Sequence, residues 1–206
     1  MNIELQSMAI ELPPVAAHPN RAPFRGVLTL LDVASDRAPA GARGHRVLLT
    51  RAAAERALPS LLGMALDYTP SLDRHDARRK VGIITEANVV DGKTGRGLTL
   101  MNADRNKNNQ RSSALISGGF LAARIEVAGY LYARDFPEVM RELRAQIPAA
   151  GGRATSPLGM SYEITDARVE DVRAAVWVLT DCTFTGAAVL RRDKAAYTQT
   201  WIELIG

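Results

Sequence analysis

Apolar positions in this chain recur mostly at every second residue, and the clearest instance is the segment 158–165. Drawn as a strand, it sends Leu158, Met160, Tyr162 and Ile164 to one side and Gly159, Ser161, Glu163 and Thr165 to the other. The same reasoning predicts strands at 24–31, 46–49, 81–90, 97–101 and 124–132, with one or two more in 174–179 and 182–185. Helical spacing is rarer. Thr50 is placed to cap a helix over 51–61 built on Ala52, Ala53, Ala54 and Ala57. Asp135 and Pro137 open a second, whose apolar face carries Val139, Met140, Leu143 and Ile147. A third is expected over 191–205, with Trp201 packing back. Segments 32–44, 71–76 and 149–157 are rich in turn formers, Asp91-Gly92 marks a hairpin turn, and 102–119 is a polar insertion. Residues 1–23 read as an N-terminal arm or edge segment and 24–206 as one domain. Many strands, few helices and no regular βαβ alternation predict a mainly β fold with helices (α+β), a mainly antiparallel sheet or barrel flanked by helices.

Composition narrows the function classes. The 206 residues are 47% hydrophobic and 23% charged, enough to bury one sizeable core. No apolar run is long enough to cross a bilayer, and the N-terminus lacks the basic start and apolar centre of a signal peptide. The net charge of +4 permits an acidic partner, but with aromatics at 5% the interleaved basic and stacking residues of a nucleic-acid surface are missing. The single cysteine, Cys182, excludes an internal disulfide and a Cys-rich zinc site, and its apolar surroundings suit a buried structural thiol.

No phosphate-binding loop, dinucleotide fingerprint, zincin helix or nucleophile elbow occurs; Glu163 stands where the elbow needs its second glycine. Three side chains carry candidate chemistry. Ser161 lies mid-strand with Gly159 as its same-face neighbour, a setting that leaves space beside a hydroxyl; it reads as a nucleophile or as one more polar residue on a solvated face. His75, between Asp73 and Asp76 and just before the strand 81–90, reads as a base at a cleft or as an exposed loop residue. Asp181 interrupts an apolar passage, and a carboxylate there needs a partner: an imidazole to orient, an arginine, or a turn. His18 and His45 sit in Pro/Gly-rich, Arg-flanked segments and read as surface residues.

Together these residues resemble a known family. His75-Asp76, a short basic spacer and Val81-Gly82-Ile83 are similar to the histidine segment of tailed-phage prohead (capsid maturation) proteases. Leu158-Gly159-Met160-Ser161-Tyr162 resembles their serine strand, and the segment from Leu179 to Ala187 their closing strand. Where that family usually continues its serine strand with Ile-Gly, this chain has Tyr162-Glu163. The resemblance implies a β-barrel of the herpesvirus-protease type with peripheral helices. It implies a serine endopeptidase that cuts scaffold and major capsid protein, and in many members itself, inside the prohead in the host cytoplasm. Carried over by position, Ser161 is the nucleophile, His75 the general base and Asp181 the orienting group, with Arg191 and Arg192 as the oxyanion-hole region. From the residues themselves Ser156 is the runner-up nucleophile, less well held because it precedes Pro157 in a linker. No metal or organic cofactor is implied, nor a membrane or nucleic-acid partner; a homo-oligomer is compatible. The alternative is a non-catalytic capsid-assembly or scaffold-binding protein that keeps the protease fold.

Overall fold

Sixteen consecutive residues, Val176–Arg191, form the strand β8 on which the sheet is organised. The computed structural model describes residues 8–9, 18–92, 122–145 and 157–205. One edge of β8 pairs antiparallel along nearly its whole length with β7 (Leu158–Val169). The other edge is shared by two short strands in parallel: β3 (Arg46–Leu49) on residues 176–179 and β4 (Ala65–Asp67) on residues 187–188. From β4 the sheet continues antiparallel through β5 (Lys80–Val90), β6 (Arg124–Tyr132), β2 (Arg21–Leu30) and β9 (Trp201–Leu204). A two-residue strand β1, Met8–Ala9, also pairs with β5. The result is a mainly β molecule with two short helices, its mixed nine-stranded sheet curled into a half-barrel.

The inner face of the curl is the core. Phe24, Leu49, Leu66, Ile84, Leu131 and Phe184 are fully or almost fully buried there. Leu158 and Met160 of β7 join them, and Tyr162 and Ile164 pack on their edge, so the predicted apolar side of this strand is the core side. Helix α1 (Arg51–Ala57) starts at Thr50, whose hydroxyl accepts the Ala53 N–H as predicted. Pro59 then tightens the chain into a 3-10 turn, Leu58–Leu61. Helix α2 (Pro137–Arg144) buries Val139, Met140 and Leu143; Ile147 lies outside the described residues, as do the predicted strand 97–101 and the insertion 102–119.

Two readings hold and one changes. The segments 174–179 and 182–185, read as one or two strands, belong to one, with Asp181 inside it. The sheet is mainly antiparallel, and β8 is long enough to take β3 and β4 side by side as the two parallel pairings. Residues 191–205 form no helix. The run Tyr197-Thr198-Gln199-Thr200-Trp201 is aromatic and β-branched, of low helix propensity, and β9 gains ladder hydrogen bonds from β2 instead. Trp201 does pack back, onto a small cluster of Val27, Leu30 and Tyr197.

Cys182 is buried, and burial, with the Asp181 charge adding to it, pushes its thiol up to about 11. We expect iodoacetamide at mildly alkaline pH to leave the folded protein unlabelled and to modify Cys182 fully once urea unfolds it. Rapid labelling of the native chain would contradict this placement.

Candidate active site

The pairing registers put three residues in a row across three strands. Ser161 on β7 lies opposite Ala188 on β8, and Ala188 lies opposite Asp67 on β4. Residues paired in this way project from the same face of a sheet, and two strand spacings separate the outer pair by about 10 Å at Cα. This is the face opposite the core. Ala187 and Val189 belong to the main core, whereas Ala188 and Leu190 form a separate small cluster with Ala195 of the turn that follows β8. Two residues beyond Ser161, on the same face, Glu163 lies opposite Gly186.

The loop between β4 and β5 lays His75 over this row. Three ties fix it. Asp73 accepts from the Thr69 and Ser71 hydroxyls at 2.8 and 2.6 Å, the Asp76 N–H donates to Asp67 Oδ1 at 3.1 Å, and the Arg191 N–H donates to the Leu72 carbonyl at 2.7 Å. Those hydroxyl bonds hold the Asp73 carboxyl below its usual range, and the Arg78 N–H does the same for Asp76. The two acidic neighbours of His75 in sequence are therefore occupied elsewhere. The carboxylates at the ring come from the strands: His75 Nδ1 is 3.1 Å from Glu163 Oε1 and 3.7 Å from Asp67 Oδ1. Neither contact is aligned as a hydrogen bond, and both Nδ1 and Asp67 Oδ2 are buried without one. Asp67 is fully buried, with Lys80 Nζ 3.7 Å from its second oxygen; the side chains of His75 and Glu163 are 24% and 28% exposed.

The structure thus gathers Ser161, Glu163, His75 and Asp67 on one surface, but not Asp181. Asp181 is seven positions along β8 from the residue opposite Ser161, about 23 Å at strand rise. It lies beside α1, 47% exposed and 3.9 Å from Arg56, in a surface ion pair of small energetic weight. The arginine alternative considered for this residue is the one that holds, and it does not orient His75.

Arg191 ends β8 and Arg192 begins the following turn, so neither stands on an exposed helix. The Arg192 N–H donates to the Pro157 carbonyl at 3.0 Å, and that of Arg191 to Leu72. Both main-chain donors are therefore engaged, and the other group of Arg192 is its guanidinium. It is partly buried, and desolvation lowers its pKa. Ser156 lies outside the described residues. No hydrogen bond joins the Ser161 hydroxyl to His75 among the described residues.

Two glycines have defined tasks. Gly159 does not leave space beside Ser161: a Cβ there would stand 2.7 Å from Thr200 Oγ1 and 3.4 Å from Arg192 Cα, so the glycine admits the turn that covers this face. Gly186 makes room for Glu163, whose Oε2 lies 2.8 Å from where a Cβ would be. Glu163 and Asp67 were legible in part. Alternation already puts Glu163 on the Ser161 face, and Asp67 interrupts the apolar run Leu66-Asp67-Tyr68 just as Asp181 interrupts its own.

No family model, curated protein or solved structure matches the chain.

The glycines give a paired test. Gly159→Ala meets a Thr200 hydroxyl held by the Met160 N–H and the Tyr197 carbonyl, and should cost about 1–3 kcal/mol by urea denaturation. Gly186→Ala meets only a flexible carboxylate. It should cost less than about 1 kcal/mol while moving the nitrogen resonances of the His75 ring, which Gly159→Ala should leave in place. Equal costs and unmoved resonances would contradict the geometry.

Proposed function

We propose that the chain is a serine endopeptidase of phage head maturation, built on a barrel of the herpesvirus-protease type and acting on scaffold and major capsid protein within the prohead. One observation carries the reading: His75 turns Nδ1 toward two carboxylates, and one of them, Glu163, stands two residues from Ser161 on the same strand face. An imidazole held by Nδ1 presents Nε2 as the base, the arrangement a serine nucleophile requires.

In this mechanism Nε2 takes the Ser161 proton as Oγ attacks the peptide carbonyl carbon. The imidazolium so formed keeps its Nδ1–H toward Glu163, with Asp67 behind it. The carbonyl oxygen gains charge and is met by the Arg192 guanidinium. His75 then returns its proton to the leaving amine, and water, deprotonated by the same nitrogen, releases the acyl group from Ser161. Glu163 replaces Asp181 as the group that orients the ring. The basic net charge suits acidic stretches of a scaffold substrate. Among the described residues no helix is long and apolar enough to cross a membrane.

The second reading, a capsid-assembly protein without turnover, is favoured by the missing hydrogen bond between Ser161 and His75. Catalytic hydrogen bonds often tighten only when substrate is bound, so the distance alone does not decide.

Incubation with the capsid and scaffold partners, followed on a gel, separates the two. The wild type should cleave and Ser161→Ala should not, and a serine-directed phosphonate should label the wild type at Ser161. Glu163→Gln should lower kcat by about a hundredfold or more with KM nearly unchanged, while Asp181→Asn should stay within about twofold of the wild type. Cleavage by Ser161→Ala equal to the wild type, or none by either, would sink the proposal; a large loss in Asp181→Asn would return the orienting role to that residue.

A further inference from the structure

We propose that Asp67, His75 and Glu163 form a binding site for one borderline divalent cation such as Zn²⁺, and that loading it switches the serine chemistry off by fixing the tautomer of His75. The binding half stands on geometry alone; the switching half rests on the serine-peptidase reading.

One donor atom from each of the three side chains lies within 4.8 Å of the others. A tetrahedral ion with bonds of 2.0–2.2 Å needs neighbouring donors roughly 3.3–3.6 Å apart. The observed Nδ1 separations of 3.1 Å from Glu163 and 3.7 Å from Asp67 bracket that edge, so small side-chain rotations supply three of the four ligands, and water would take the fourth position. The second observation is independent of spacing. Asp67 is fully buried, and its Oδ2 has no hydrogen bond; the Lys80 ammonium at 3.7 Å is too far to donate one. Burying a carboxylate oxygen without a donor is costly, and a cation held on the Oδ1 side of the same group offsets that cost electrostatically. The His75 Nδ1 is likewise buried without a hydrogen bond although a carboxylate oxygen is at hydrogen-bond distance, as expected of a lone pair directed at a point between donors.

Other features agree. The Asp76 N–H on Asp67 Oδ1 fixes one ligand from behind, as outer partners do at metal sites. Lys80, 39% exposed on a flexible stem, can withdraw into solvent when a cation takes its place. One imidazole with two carboxylates suits a first-row transition ion better than magnesium or calcium, which prefer all-oxygen shells.

The consequence for catalysis is chemical. A neutral imidazole carries one ring proton. With the cation on Nδ1 that proton resides on Nε2, which becomes a donor and has no lone pair for the Ser161 hydroxyl. No proton is gained or lost overall; the base is simply absent. Removing the ion restores the Nδ1–H tautomer beside Glu163.

The test uses the full chain, with Ser161→Ala to isolate binding from turnover. Metal-free protein is titrated calorimetrically with Zn²⁺, and with Co²⁺ followed by its visible absorption. We expect one equivalent bound, the intense Co²⁺ bands of a low-coordinate site, and at least a tenfold loss of Zn²⁺ affinity on adding either Glu163→Gln or Asp67→Asn, with Asp181→Asn unchanged. Sub-stoichiometric binding, or affinity unaffected by Glu163→Gln, would overturn the site. In the wild type, Zn²⁺ should stop capsid-protein cleavage and a chelator should restore it; cleavage that continues with the ion bound would overturn the switch. If Ser161→Ala binds Zn²⁺ but the wild type cleaves nothing, the site stands and the switch falls with the peptidase reading. If the wild type cleaves yet binds no Zn²⁺, the peptidase reading stands and the inference falls.

Discussion

The constraint on which the site depends is the double use of β8. Its long antiparallel pairing with β7 fixes where Ser161 and Glu163 lie, and its short parallel pairing with β4 fixes where Asp67 lies. A slip of one residue in either ladder would turn that strand's polar residues into the core. The apolar residues on the opposite face, Met160, Leu66, Ala187 and Val189, resist such a slip because each is buried. Core packing on one side of the sheet therefore sets the geometry of the chemistry on the other.

That chemistry concentrates around a carboxylate excluded from water. A backbone N–H, an ammonium and an imidazole surround Asp67 and offset the cost of burying its carboxyl group. The loop carrying His75 is drawn in by the same group, since the Asp76 N–H that Asp67 accepts is the next residue along. A hydrogen bond from Arg191 anchors the far end of the loop, so the imidazole is held by both strands that flank its position. Leu72 contributes in another way: it takes a left-handed backbone conformation, φ 53°, that a leucine adopts only when its surroundings compensate, and it is buried.

Local patterns made most of this legible. The strands β3 and β6 fall where alternation puts them, Thr50 caps α1, and the polar face of β7 carries Ser161 and Glu163 together. What the pattern did not yield is non-local. Asp67 and Asp181 give the same signal, a lone carboxylate in an apolar run, and only the pairing of distant strands decides which one reaches His75. β4 is three residues long, too short to show a period, and the residue that matters most lies at its end. The segment 191–205 misled for a related reason: its alanines and charges allow a helix, but an unpaired edge of β2 offered its last residues a better use. A resemblance carried over by position assigned Asp181 its role. In the structure the carboxylate beside the His75 ring is instead that of Glu163, on the strand of Ser161.

The order of synthesis gives β8 a further meaning. β4, which carries Asp67, and β7, which carries Ser161, are neighbours only through a strand that follows both of them in the chain. Until residues 176–191 have emerged and been inserted, one edge of β4 is bare and the two halves of the site have no common frame. Contacts between such distant segments are the slow ones in folding, because a long loop must close before any of them forms. A nascent or truncated polypeptide thus holds every residue of the site before 176 and yet no cleft. The shared frame of Asp67 and Ser161 is acquired late, as a property of the completed sheet.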